Sequence, residues 1–254
     1  MKGWFSMEYK YTCSEYVVAF VDVLGASEKI KNDEEASLNL VHNSYDVAIN
    51  YIENMFDKEW FAGRRPYVRI FSDNILIYCP VVNDDVKAAF VDVVLLCAMI
   101  QIQFLSKGEL TRGGIAVGNF FSDEVMVWGQ ALIDAHTIES CISVFPRIVI
   151  HPTLEKRLQL SGFHSILKED NDALYYVDYL ALNFMLNNND LYAVLNEAIQ
   201  DVKKMIEQSS NNLKILQKLT WHKKYLTDKM GELIGLKDIQ KIIEGKQIIE
   251  KGGF

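Results

Sequence analysis

The sequence predicts an α/β (α+β) fold: a ferredoxin-like βαββαβ sheet with helices on one side, followed by a C-terminal helical extension. Three features predict it. Tyr16 to Leu24 (YVVAFVDVL) is β-branched and aromatic with one polar residue, Asp22, the composition of a central strand buried on both faces. Tyr67 to Cys79 brackets the turn signal Ser72-Asp73-Asn74 and reads as a β-hairpin with Asp73 at its tip. From Leu182 onward apolar residues recur at helical spacing, with no Pro and few Gly between Asn183 and Met230.

The remaining elements follow in order. Gly25 ends the first strand and Ala26-Ser27-Glu28 opens a helical region. Between Glu34 and Phe56 the residues Leu38, Val41, Tyr45, Ala48, Ile49, Ile52 and Phe56 mark an amphipathic helix. Asn83-Asp84-Asp85 is an N-cap cluster for a long helix to about Leu105, stopped by Lys107-Gly108. Its greasy stretch from Ala88 carries Asp92, Gln101 and Gln103, which marks a buried helix and not a membrane span. Leu110 to Val117 is a strand carrying Arg112 and the pair Gly113-Gly114. Phe121 to Trp128 is extended, and Gly129 leads into a helix from Gln130 to Ile142. Pro146 to Ile150 is a strand, Thr153 to Leu160 a short helix, and Leu174 to Tyr179 a last short strand. Leu191 to Ile206 is one amphipathic helix of the extension, and Leu213 to Leu226 and Leu233 to Ile249 are two more. The expected division is residues 1–180 for the α/β domain and 181–254 for the extension.

At 254 residues the chain can bury a substantial core. A net charge of −8 argues against a nucleic-acid surface, although a local metal site can still receive a small anionic substrate. The four cysteines, Cys13, Cys79, Cys97 and Cys141, form no C-x-x-C pair and are expected as buried free thiols. The first sixteen residues lack the apolar run of a signal peptide, so a cytoplasmic protein is expected.

Two acids carry the chemistry. A charged Asp22 within an apolar strand costs several kcal/mol unless something compensates it. It either caps the helix after Gly25 or binds a metal at the strand end. Asp73 alone needs no role beyond hydrogen-bonding its own turn. The pair says more, because in a βαββ unit the first strand lies beside the following hairpin. A carboxylate at the end of one and a carboxylate at the tip of the other can converge. Two carboxylates plus substrate phosphates suit Mg²⁺ or Mn²⁺.

Four segments, in order, resemble the class III adenylyl and guanylyl cyclases. Phe20 to Gly25 (FVDVLG) is similar to the strand-one motif with the first metal aspartate, and Arg69 to Asn74 (RIFSDN) to the hairpin motif with the second. Leu110 to Gly118 (LTRGGIAVG) resembles the strand whose arginine reaches the triphosphate. Val127 to Ser140 (VWGQALIDAHTIES) resembles the strand-to-helix segment that completes the site from a partner subunit. Where the family has a base-reading lysine stands Arg69, and where it has Asp or Cys stands Met126. Its transition-state Asn and Arg fall on Ile133 and Thr137. The bacterial pyrimidine cyclases of the Pycsar anti-phage systems fit this pattern better, sharing the T-R-G-G-I strand, the G-x-A-L…E helix and a helical tail.

The resemblance implies a class III cyclase catalytic domain that converts UTP or CTP to cyclic UMP or cyclic CMP and pyrophosphate. It implies a homodimer with sites at its interface, a separate effector protein that responds to the product, and no nucleic-acid or membrane partner. Asp22, Asp73 and the Val23 carbonyl would hold two Mn²⁺ or Mg²⁺ ions. Arg112 would contact the triphosphate, its alternative being a surface ion pair. Phe20, Leu24, Gly25, Ala26, Ser27, Arg69 and Met126 are the implied substrate-binding positions, with the N–H groups of Leu24 to Ser27 facing phosphate oxygens at a helix N-terminus. The cation for the transition state is unassigned. Arg69 and His136 are candidates, and the Trp221 to Lys224 run reads as a solvated helix face. A purine cyclase with unusual base recognition and a non-catalytic binding module are the competing readings.

Overall fold

The computed structural model describes residues 11–55, 65–159, 162–181, 188–209 and 211–251. Phe56 and Leu160, which the sequence placed at helix ends, and Leu182, where it placed the start of the helical extension, lie outside them. The strands are β1 (Ser14–Val23), β2 (Tyr67–Phe71), β3 (Asn74–Pro80), β4 (Thr111–Ser122), β5 (Val127–Trp128), β6 (Ile148–Ile150), β7 (Leu167–Glu169) and β8 (Tyr175–Val177). The helices are α1 (Ala26–Asn32), α2 (Glu34–Met55), α3 (Val86–Leu105), α4 (Gln130–Thr137), α5 (Pro152–Leu158), α6 (Asn188–Gln208) and α7 (Leu213–Lys251). A π-helical turn, Ile138–Ile142, continues α4.

The mixed sheet runs β2-β3-β1-β4-β6-β8-β7, with β5 paired to the end of β4. β1 lies at its centre, antiparallel to both β3 and β4, and β4 is parallel to β6. Strand alternation sorts β1 between two cores. Val17, Ala19, Val21 and Val23 face α3, whose residues are buried nearly all round, as its continuous apolar run requires. Asp85 caps α3, its side chain accepting from the Ala88 N–H at 3.0 Å, and Gly108 at φ 73° ends it.

Val18 and Phe20 face the other way, with Leu76, Tyr78, Ala116 and Phe120, and this second layer is closed by Ala131 and Ala135 of α4. The helices therefore lie on both faces, not one. The reason is local. A Cβ on Gly114 would stand 2.4 Å from the Ala135 carbonyl oxygen and 2.5 Å from the Ile138 Cβ. Only glycine lets α4 come down on β4 at this point.

Other expectations change as well. β4 runs on to Ser122, and β7 is an additional strand, three residues long and too short to show a period. The two lysine-rich helices are one, α7. Nothing between Leu226 and Leu233 breaks it: Thr227 returns its hydroxyl to the Lys223 carbonyl, Lys229 pairs with Glu232 at 2.8 Å, and no proline intervenes. All four cysteines are free, but only Cys79 and Cys97 are buried, because Cys141 sits on the outer side of the π turn and Cys13 precedes β1.

α7 is anchored on the far end of the sheet. Trp221 stacks on Phe145 with ring centroids 5.6 Å apart and donates to Asp170 at 2.7 Å. Tyr225 donates to Asp178 at 2.7 Å, Lys229 pairs with the same carboxylate at 2.6 Å, and Leu219, Leu226 and Leu233 join the main core beside Leu191 and Leu195 of α6.

Candidate active site

The two acids end on one edge of the sheet. Asp22 stands opposite Asn74 of β3 on one side and Arg112 of β4 on the other, on the face that carries Phe20. The β2–β3 turn is tied to this point, since the Val23 N–H donates to the Asp73 carbonyl at 3.1 Å. The Asp73 carboxylate accepts from the Asn74 amide at 3.1 Å. Asp22 does not cap α1: Gly25 occupies the cap position at φ 78° and no side chain caps the helix.

Arg112 reaches across this edge. Its Nε donates to Asp22 Oδ2 at 3.2 Å, and Nη2 lies 2.6 Å from Glu139 Oε1. The pair is part-buried, so the surface reading of Arg112 is set aside. Glu139 sits in the π turn and is 4% exposed. Sequence reasoning gave it no role, although it falls next to Ile138 on the buried side of a helical stretch that also buries Ala131 and Ala135. A carboxylate there needs a cationic partner. π-helical turns of this kind recur at functional sites.

The electrostatics of the cluster favour an incoming cation. Burial raises the Asp22 pKa, and the Asp73 charge adds to that rise, while the hydrogen bond and charge of Arg112 oppose it. Glu139 is likewise raised by burial, with Arg112 opposing and Asp22 and Asp73 adding. Lys218 of α7, which the sequence did not single out, also lies within electrostatic reach of Asp22, Arg112 and Glu139.

The other predicted residues fall into two places. The Leu24 N–H is already committed to the Leu110 carbonyl at 2.8 Å, so the open N–H groups of the segment are those of Gly25 to Ser27 at the start of α1. Phe20 is buried between Phe71, at 5.9 Å, and His136, which meets it edge-on at 5.0 Å. Arg69 and Met126 are brought together by the loop after β4: Arg69 donates to the Asp123 carbonyl, and the Asp123 carboxylate accepts from the Met126 N–H at 2.8 Å. Ile133 and Thr137 are exposed on α4, and Thr137 returns its hydroxyl to the Ile133 carbonyl. The Trp221 to Lys224 run is not simply solvated. His222 is buried and Trp221 is stacked, while Lys224 pairs with Asp228 in solvent.

Among the described residues no cluster of three or more His, Cys, Asp or Glu forms a self-sufficient metal nest. The donors at this edge are hard: two mutually repelling carboxylates beside the Val23 backbone. That set suits Mg²⁺ or Mn²⁺ sharing its shell with substrate oxygens and water, which is how such ions are commonly held.

No family model matches the chain, and no curated protein matches it. Among solved structures it is similar to an adenylate/guanylate cyclase/hydrolase from Silicibacter pomeroyi, with 16% identity and a TM-score of 0.41 over 66% of this chain and 98% of that one. It is also similar to a bacterial light-regulated adenylyl cyclase (12% identity, TM-score 0.41, 68% of this chain and 54% of that one). A third similar structure is a class III adenylyl cyclase-like ATP-binding protein from Pseudomonas aeruginosa (11% identity, TM-score 0.41, 67% and 40%). At these TM-scores the likenesses decide nothing about this chain, and its reading rests on its own residues.

Proposed function

We propose that the chain is a nucleotidyl cyclase of the class III type that converts UTP or CTP to the 3′,5′-cyclic monophosphate and pyrophosphate. The observation that supports this best is the meeting of Asp22 and Asp73 at one sheet edge with Arg112 beside them. Asp22, Asp73 and the Val23 carbonyl would hold two Mn²⁺ or Mg²⁺ ions, which when bound lower the pKa of the ribose 3′-hydroxyl and neutralise the triphosphate.

The remaining tasks fall to protein groups. Arg112, held at the site by Asp22 and Glu139, would turn its guanidinium fork to the phosphates of the substrate. The N–H groups of Gly25 to Ser27 face β- and γ-phosphate oxygens. Phe20 fixes the spacing between β1 and α4 behind the reacting centre. Arg69 and Met126, joined through Asp123, line the base. The attack of the 3′-oxygen on the α-phosphorus then forms the cyclic ester as the bond to the pyrophosphate oxygen breaks.

A homodimer belongs to this reading. Val125 (88% exposed), Trp128 (65%) and Ile133 (58%) leave a broad apolar surface around α4 and β5 for a second copy to cover. The cyclic product would act on a separate effector in an anti-phage response within the cytoplasm.

Incubation of the purified chain with each of the four nucleoside triphosphates and Mn²⁺, with products resolved by chromatography, tests the proposal. Cyclic UMP or cyclic CMP is expected, and Asp73→Ala is expected to abolish it while the fold persists. Cyclic AMP or cyclic GMP alone would move the substrate to the purines. No product under any condition, or full activity in Asp73→Ala, would overturn the assignment.

A further inference from the structure

Resting on that reading of the site, we propose that Lys218 of the C-terminal helix is a phosphate-contacting residue of the nucleotide site, so that α7 is part of the active centre and not an appendage. α7 passes close to the start of β4. Its His222 is buried beside Leu110, Thr111 and Pro146, with which it closes a void of about 10 Å³. Lys218 lies four residues earlier, one turn back on the same helical face as His222. Its electrostatic neighbours are Arg112, Asp22 and Glu139, the members of the candidate site, together with Lys214 one turn further out.

Lys218 is half-buried, yet it makes no hydrogen bond or ion pair with any other described residue. Other lysines on the same helix behave differently: Lys224 pairs with Asp228 at 2.6 Å and Lys229 with Asp178 at 2.6 Å. A part-desolvated ammonium beside two acids and one arginine, with no partner of its own among the described residues, is placed for an anion that arrives with the substrate. Burial and the Arg112 charge lower its pKa, whereas Asp22 and Glu139 oppose that shift. An arriving triphosphate would relieve the strain on the cation. This supplies a positive charge where Ile133 and Thr137 offer none, and from the same chain.

The test compares Lys218→Met, which keeps the apolar stem, Lys218→Arg, and Lys224→Met as a charge-matched control on the exposed side of the same helix. Calorimetry on the full chain with Mg²⁺ measures binding of α,β-methylene UTP and CTP, and of UMP and CMP. For Lys218→Met the triphosphate analogue is expected to bind roughly tenfold or more weakly, with monophosphate binding unchanged, because a charge-assisted hydrogen bond is lost. Lys218→Arg recovers most of the affinity and Lys224→Met loses none. If the wild type binds the triphosphate and Lys218→Met binds it equally well, or loses mono- and triphosphate alike, the role of Lys218 is refuted while the cyclase reading stands. If the wild-type chain binds no triphosphate, both fall.

Discussion

Adding one methyl group to Gly114 tests the packing that assembles the site. The Cβ would stand 2.4 Å from the Ala135 carbonyl oxygen and 2.5 Å from the Ile138 Cβ. Ordinary contacts lie near 3.5–4.0 Å, so α4 must retreat by about an ångström. Neither obstacle can swing aside, because one is backbone and the other is the branch carbon of a buried isoleucine. Overpacking of this kind costs about 1–3 kcal/mol, and the reduced freedom of the unfolded chain returns about 0.4–1 kcal/mol. A net loss of about 1–2 kcal/mol is expected for Gly114→Ala. Gly118, on the same strand and face, is the matched control: its Cβ would meet the Ala131 nitrogen at 3.7 Å, an ordinary contact. Gly118→Ala should therefore be neutral or stabilising by up to about 1 kcal/mol. Urea unfolding of both variants, compared at a common m-value, reads the difference. Because Glu139 follows Ile138, Gly114→Ala should also loosen the Arg112 tether and lower turnover, while Gly118→Ala retains it. Two variants within about 0.5 kcal/mol of each other would refute the claim that glycine sets the distance between β4 and α4.

Two further predictions concern the region where α7 meets the sheet. Arg147 is 1% exposed, pairs with Asp170 and Asp172, and stacks against Phe145, Tyr176 and Trp221. Arg147→Met strands those acids and should cost about 3 kcal/mol by chemical denaturation, the lower end of the range for a broken buried pair because Asp172 is partly solvated. Burial raises the Asp172 pKa, but the Arg147 hydrogen bond and charge outweigh it and leave the carboxyl below its usual value. Its contribution is therefore present above the ordinary carboxylate range, and is lost as the pH falls through the depressed folded value; Arg147→Met should lack that component. His222 is 2% exposed with both ring nitrogens unpartnered among the described residues, and burial lowers its pKa to about 3. Below about pH 6.5 the unfolded chain takes up a proton that the folded chain refuses. Stability should then fall on acidification toward pH 3 by up to about 1.4 kcal/mol per unit. In His222→Leu this slope should flatten; an unchanged slope would exclude His222 as its source.

Most of the sheet was legible because its strands obey simple compositional rules. β1 reads as central from an apolar run interrupted only by Asp22, and Asp85 and Gly108 bound α3 where capping chemistry puts them. The illegible parts depend on contacts distant in sequence. The amphipathic pattern of α4 gives a buried stripe but not the face of the sheet that it covers; that is decided by Gly114, twenty-one residues before Ala135. The continuity of α7 was hidden because Thr227 to Glu232 is polar enough to read as a break. The segment stays helical because Lys229 reaches Asp178 on the sheet.

The site divides along the same line. Asp22 was visible because an acid breaks a strand that should be apolar, whereas Asp73 drew notice only as its pair and Arg112 through the resemblance of its strand motif. Their convergence follows from β1 lying between β3 and β4, which strand order alone predicts. Glu139 and Lys218 break no such pattern. A glutamate in a helical turn and a lysine in a lysine-rich helix look like solvent-facing residues until the tertiary fold removes the solvent. Glu139 gains meaning from the Arg112 fork, and Lys218 from the docking of α7 through Trp221, His222 and Tyr225. The rare residue in an apolar run is legible in one dimension; the common residue under a docked helix is not, and only the packing of α7 on β4 distinguishes Lys218 from its solvated neighbour Lys224.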